Sequence, residues 1–149
     1  MRRLLLLAAL LLCCAQKLDV DAICSLHRVV DGDTVWVNCS SGFKAGQKFK
    51  VRLAEIDAHE LDEPMGREAK EYLESLLSGR CIVLDVDERY PYDRYGRVIA
   101  IVYVKLNETH YLNVNYEIVR AGYAEFVDYP NSWHPEDLRE YLVSKTPLC

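Results

Sequence analysis

Three strands, a helix, two more strands and then trailing helices predict an α+β protein that is mainly β: a five-stranded Greek-key barrel with about three helices. Three observations carry this. The stretch from Gln47 to Ile56 alternates cleanly, with Phe49, Val51 and Leu53 on one face and Lys48, Lys50 and Arg52 on the other. Cys81–Val86 and Val98–Val104 are short, nearly continuous apolar runs, as in strands buried on both faces. Between them, Ala69, Tyr72, Leu73, Leu76 and Leu77 recur at helical spacing.

Taken in order, Ala22–Val30 reads as a strand, Asp31-Gly32-Asp33 as a turn, and Thr34–Cys39 as a β-branched, aromatic return strand. Ser40-Ser41-Gly42 and Ala45-Gly46 mark the next turn. The hairpin centred near Phe43 then brings Arg52 or Leu53 back beside Asp33. A helix over Gly66–Ser78 stops at Gly79. After the two apolar strands, Asn113 caps a second helix that runs through Arg120 and closes at Gly122. A third helix is predicted from about Pro135 to Val143, with Leu138, Tyr141 and Leu142 turned inward. This is the order of a small OB-fold Greek-key barrel with helical additions.

The chain has 149 residues, half of them hydrophobic and 28% charged, which suits one domain with a real core and excludes a disordered chain. No repeat or linker interrupts residues 17–149. Residues 1–15 read as a signal peptide: Arg2 and Arg3, an apolar run from Leu4 to Leu12, then Cys13-Cys14-Ala15 as the exit, with cleavage expected after Ala15. Export, as a secreted or extracytoplasmic protein, is therefore expected. Membrane anchoring would require lipidation at Cys14, which the preceding Leu-Leu-Cys fits only loosely. The exported chain keeps Cys24, Cys39, Cys81 and Cys149, an even number in an oxidising setting, with three pairings open. Cys24 and Cys39 flank the first turn almost symmetrically, and a bond from Cys81 to Cys149 would tie down the tail.

Net charge is −5; without Arg2 and Arg3, 16 basic residues face 23 acidic ones, for −7. That argues against tight, passive coating of nucleic acid, which needs a broad basic face. It leaves room for a small positive focus inside an acidic body.

Three charged islands supply such a focus: Asp31-Gly32-Asp33-Thr34, then Arg52 through Ile56-Asp57-Ala58-His59-Glu60, then Asp93-Arg94-Tyr95-Gly96-Arg97. Asp33 and Asp57 are the best candidates for cation ligands, with the carbonyl of Ala58 as a third oxygen, a donor set suited to Ca²⁺. Asp31 reads as an ordinary turn residue. Arg52 and Arg97 match the equatorial oxygens of a phosphodiester, whose charge grows in the transition state. Glu60 is placed to orient or deprotonate an attacking water. Singly, each residue has a plain explanation as a solvated turn carboxylate, a surface ion pair or a helix cap; their conjunction does not.

These islands, in this order and at these spacings, resemble the staphylococcal nuclease (thermonuclease) family, and Asn115–Gly122 with Val119-Arg120 before the glycine fits as well. The resemblance spans about Ala22 to Val127. It implies an OB-fold, Ca²⁺-dependent endonuclease acting on DNA and RNA, single strands preferred, and leaving 3′-phosphates. It puts Ca²⁺ on Asp33, Asp57 and the main-chain oxygen of Ala58, and makes Arg52 and Arg97 the phosphate-stabilising pair. Glu60 then handles the water, while Arg94, Tyr95 and, across a gapped stretch, Tyr129 line the nucleotide site. Two departures stand out: His59 replaces a usual proline, and the loop Leu61-Asp62-Glu63-Pro64 is short.

A monomer with no obligate protein partner is expected. The competing readings are a non-catalytic OB module that binds nucleic acid or a protein, and an extracellular Ca²⁺-stabilised structural domain. Loss of any one of Asp33, Arg52, Asp57, Glu60 or Arg97 would favour the first, and all five are present; the second predicts metal-dependent melting without hydrolysis.

Overall fold

The computed structural model describes residues 20–149; the expected signal peptide, including Cys14, lies outside them. Strands β1 (Ala22–Asp31), β2 (Thr34–Gly42) and β3 (Lys48–Leu53) form an antiparallel meander, followed by a short β4 (Ile56–Ala58) and helix α1 (Gly66–Leu77). Then come β5 (Ile82–Val86), β6 (Val98–Lys105), β7 (His110–Asn113), helix α2 (Val114–Arg120), β8 (Ala124–Phe126) and β9 (Tyr141–Val143). The sheet order β3-β2-β1-β5-β6 closes where β3 pairs with β6 in parallel, Val51 opposite Val98. This is the five-stranded OB barrel that the element order predicts.

Alternation places the core. Val35, Val37 and Cys39 of β2 and Phe49, Val51 and Leu53 of β3 point inward, against Ile82 and Leu84 of β5 and Ala100, Val102 and Val104 of β6. Leu73 and Leu77 of α1 and Val114 and Ile118 of α2 join the same cluster. Each such aliphatic side chain contributes about 1.5–3 kcal/mol by leaving water. Asn115, fully buried, donates to the carbonyls of Ala54 (2.9 Å) and Ala100 (3.2 Å) and accepts from Val102 N (2.9 Å). It thereby fastens α2 across the β3–β6 seam.

Cys24 stands opposite Cys39 in the β1–β2 register and is bonded to it; Cys81 is bonded to Cys149. The first bridge staples a hairpin, and the second ties the chain's last residue to the start of β5. At the end of β2, the predicted turn at Ser40–Gly42 is instead strand, and the reversal occupies residues 43–46.

The predicted third helix is absent. Pro135–Asp137 form a single 3₁₀ turn, Leu138 is already extended (φ −67°, ψ 130°), and Tyr141–Val143 is β9, paired with β7. The reason is the open edge of β7. Asn113 N donates to Glu140 O and Ser144 N to Thr109 O, so pairing outcompetes a helix too short to stand alone. The third strand also ends earlier than predicted, at Leu53. Glu55 takes a left-handed conformation (φ 61°), and Ile56–Ala58 leaves the barrel to pair with β8.

Candidate active site

The site grows from the β1–β2 turn. Asp31 Oδ1 accepts from Asp33 N at 3.1 Å, which shapes the turn. Gly32 is needed for proximity: a Cβ there would lie 2.7 Å from Ala58 Cβ and 2.9 Å from Ala69 Cβ. With no side chain between them, Ala58 N donates to Asp33 Oδ2 at 2.9 Å.

The β2–β3 register sets Arg52 opposite Thr34, and Leu53 N donates to Asp33 O at 2.9 Å. One terminal nitrogen of Arg52 is fixed by the carbonyls of Leu53 (2.7 Å) and Ile56 (2.9 Å). The other lies 3.3 Å from Asp33 Oδ2 and 3.6 Å from Asp57 Oδ1. Arg52 therefore stands between the two candidate ligands, immobilised by main chain.

Arg97 comes from the β5–β6 loop. Its Nε lies 2.6 Å from Asp93 Oδ2, and its Nη1 donates to Thr34 Oγ1 at 3.2 Å. Thr34 Oγ1 in turn donates to Asp33 Oδ1 at 3.0 Å. A continuous polar chain thus runs Asp93–Arg97–Thr34–Asp33–Arg52–Asp57, and the three islands meet in it. Thr34 is a residue that sequence reasoning passes over as part of a turn motif; its signal is its register opposite Arg52.

Beside this chain opens a cleft of about 780 Å³. Arg52, Arg94 and Arg97 line it together with Tyr90, Tyr92, Tyr95 and Tyr129, over Leu53, Ala54 and Ile99. The Arg52 guanidinium sits 5.7 Å from the Tyr129 ring centre, and Arg94 and Arg97 sit 4.8 and 5.3 Å from that of Tyr95. Arg94 also donates to the Tyr95 hydroxyl at 2.6 Å. Tyr90 and Tyr92 are additions to the expected set.

Glu60 stands apart. Its side chain is exposed and makes no hydrogen bond or ion pair among the described residues. Its backbone is nonetheless fixed: its carbonyl accepts from Glu63 N at 2.9 Å, and Gly66 packs so close that a Cβ there would lie 1.7 Å from it. His59 Nδ1 faces Glu63 Oε2 at 3.5 Å.

Burial pushes the Asp33 carboxyl up to about 6, even with Arg52 beside it. Asp93 shows the reverse: burial opposes its ionisation, yet the backbone and guanidinium N–H groups of Arg97 hold it below the ordinary carboxylate range. Asp33 is thus short of positive charge in a site where two carboxylates offer only oxygen donors. That chemistry fits a hard divalent cation. No third His, Cys, Asp or Glu joins Asp33 and Asp57 in a cluster among the described residues.

Glu55 is the functional candidate that the sequence concealed. It is fully buried, and burial pushes its carboxyl up to about 7. Its Oε1 accepts from Asn131 Nδ2 and from Tyr129 N, and its carbonyl accepts from Val127 N at 3.0 Å. It holds the strap that places Tyr129 against Arg52.

A family model described as staphylococcal nuclease homologue matches residues 50–144. The chain belongs to the staphylococcal nuclease family. It is 34% identical over 121 residues to a Haemophilus influenzae protein named as an uncharacterized endonuclease, spanning 81% of this chain and 60% of that one. It is 32% identical over 122 residues to a micrococcal nuclease of Shigella flexneri, spanning 79% and 64%. With a thermonuclease of Staphylococcus intermedius it shares 31% over 126 residues, spanning 80% and 66%. The chain therefore covers less than two thirds of the length of these relatives.

Proposed function

We propose that this chain is an endonuclease that hydrolyses phosphodiester bonds of DNA and RNA, with Ca²⁺ as its cofactor and single strands as its preferred substrate. The observation that carries the reading is the unbroken polar chain from Asp93 through Arg97, Thr34, Asp33 and Arg52 to Asp57. It links two guanidiniums and three carboxylates in one connected cluster.

Asp33, Asp57 and the main-chain oxygen of Ala58 would hold the cation. When bound, the cation supplies Lewis-acid charge at a phosphate oxygen and water at its open positions. Arg52 presents N–H groups from strand β3 and Arg97 from the β5–β6 loop, and these bind a pentacoordinate phosphorus more strongly than a ground-state phosphate. The main-chain bonds of Arg52 and the Asp93 bond of Arg97 fix both forks in advance, so little reorganisation remains for the reaction. Glu60, whose carboxylate has no other partner among the described residues, takes a proton from or orients the water. Hydrolysis on the side that leaves a 3′-phosphate accords with the family.

Aromatic walls suit unpaired bases, since every base has a face to stack. Tyr95 and Tyr129, with Arg94 beside the former, would hold the nucleotide. The two disulfides favour an oxidising compartment, in keeping with a secreted or extracytoplasmic monomer.

Digestion of heat-denatured DNA with Ca²⁺ or with chelator tests the proposal, for the parent and for Arg97→Ala. Cleavage is expected with Ca²⁺ only, and at least ~10³-fold slower in the variant. Equal rates would remove Arg97 from the mechanism.

A further inference from the structure

Charge is distributed very unevenly along this acidic chain. Residues 55–149 hold ten Lys and Arg against nineteen Asp and Glu, a net of −9. From Ala22 to Ala54, the three-strand meander, there are five Lys and Arg against two Asp, and both aspartates sit at the β1–β2 turn. From Thr34 to Ala54 there is no carboxylate at all. The β1–β3 face is thus the positive surface of a negative protein.

Its side chains are in register. Arg28 of β1 pairs with Trp36 of β2, and Trp36 pairs with Lys50 of β3. The Arg28 guanidinium lies 5.7 Å and the Lys50 ammonium 5.4 Å from the Trp36 ring centre. Arg28 and Lys48 are exposed, Trp36 and Lys50 half-buried, and none of the three cations is ion-paired among the described residues. A cross-strand cation–aromatic contact alone would contribute a little stability, but it would not require the carboxylates to be excluded from the whole face.

The face is continuous with the site. Lys50 and Arg52 share the outward side of β3, as Trp36 and Thr34 share that of β2, so the Trp36–Lys50 pair lies one pleat repeat, about 6.8 Å, from the Thr34–Arg52 pair. The hairpin tip meets the cleft as well: Lys44 Nζ lies 4.9 Å and the Phe43 ring 6.3 Å from the ring of Tyr92, a cleft residue.

We propose that the outward face of β1–β3, centred on Arg28, Trp36 and Lys50, binds the single-stranded nucleic acid that flanks the scissile phosphate. The inference rests on the nuclease reading of the site and adds a second contact region to it. Arg28, Lys48 and Lys50 follow the phosphates and Trp36 supplies a sequence-indifferent platform for a base. The substrate is then a strand of several nucleotides rather than a dinucleotide.

The test compares cleavage of a dinucleotide with that of a twelve-nucleotide oligothymidylate, in Ca²⁺, for the parent, Trp36→Ala and the double variant Arg28→Ala/Lys50→Ala. Dinucleotide kinetics should be unchanged, while KM for the long strand rises on the order of 10-fold in Trp36→Ala through loss of one stacked base. In the double variant the slope of log KM against log salt should flatten by about 1.4 for the long strand only, at ~0.7 for each phosphate no longer neutralised. Should Trp36→Ala fail to fold, the Arg28→Ala/Lys50→Ala variant decides alone. Equal effects on both substrates, or an unchanged salt slope, would overturn the proposal. The chain has two tryptophans, so a Trp133→Phe background leaves Trp36 as the sole indole reporter. Oligothymidylate should quench it even under chelation. A parent that quenches but does not cleave would sink the nuclease reading and spare the binding face, whereas cleavage without quenching would do the opposite.

Discussion

Arg97 Nε lies 2.6 Å from Asp93 Oδ2 while its Nη1 donates to Thr34 Oγ1 at 3.2 Å, so the guanidinium is oriented by a carboxylate four residues away before any phosphate arrives. Asp93 Oδ1 also accepts from the backbone N–H groups of Tyr95 and Arg97, both at 2.9 Å. One side chain therefore shapes the loop and aims its arginine.

Asp93→Ala should consequently slow cleavage without removing a group that touches substrate. A misplacement of about 1 Å in a reacting group costs on the order of 10²-fold, and a loss of that size is expected in single-turnover rate. Asp93→Asn keeps one acceptor oxygen for the backbone N–H groups of Tyr95 and Arg97 but turns an NH2 toward Arg97 Nε, so it should preserve the loop and still lose rate. A rate in Asp93→Ala equal to the parent's would show that Arg97 needs no orienting partner.

Gly32→Ala tests the close packing under the site. Its Cβ would meet Ala58 and Ala69 at 2.7 and 2.9 Å, and both are fixed through buried backbone. Overpacking of this kind costs about 1–3 kcal/mol, read as a lower denaturant midpoint. Because Ala58 must retreat, its N–H bond to Asp33 should weaken too, so Ca²⁺ affinity is expected to fall with stability.

Stability should fall as pH rises through the weakly acidic range. Burial raises Glu55 from 4.5 to about 7 and Asp33 from 3.8 to about 6. Between those limits the folded chain keeps protons that the unfolded chain releases, so this stability is full below the unfolded values and lost by about pH 7. Glu55 alone accounts for on the order of 3 kcal/mol across the window. Asp93 and Glu117, held low by Arg97 and Arg120, act in the opposite sense but only below the ordinary carboxylate range. Thermal melts in chelator from pH 4.5 to 7.5 should show the decline, and Glu55→Gln should flatten it. Glu55→Ala, which releases the strap holding Tyr129, should raise KM for oligonucleotides, with Gln restoring it. A pH-independent melt in the parent would contradict the burial argument.

Much of this was legible because strand patterning is periodic and local. The alternation from Lys48 to Leu53 fixes which side chains face the core, and the hairpin register then carries Arg52 to Thr34 without tertiary information. Cys24 and Cys39 meet for the same reason. Asn113 caps α2 through a bond from Tyr116 N at 3.1 Å, a contact three residues long. What escaped depends on distant partners. Residues 135–143 carry a helix-like apolar spacing, yet the free edge of β7 claims them. Glu55 looks like a solvated charge until Asn131 and the 127–129 backbone close over it. Gly32 reads as a turn former, but its requirement comes from Ala58 and Ala69, far along the chain.

The most direct measurement is a double-mutant cycle on single-turnover cleavage of a single-stranded oligonucleotide in saturating Ca²⁺, using Asp57→Asn, Arg97→Ala and both together. Groups acting as a unit on one phosphorus lose rate non-additively, so the double variant should fall little below the slower single. Losses that simply multiply would mean that the carboxylate and the guanidinium serve separate places, and the account would fail.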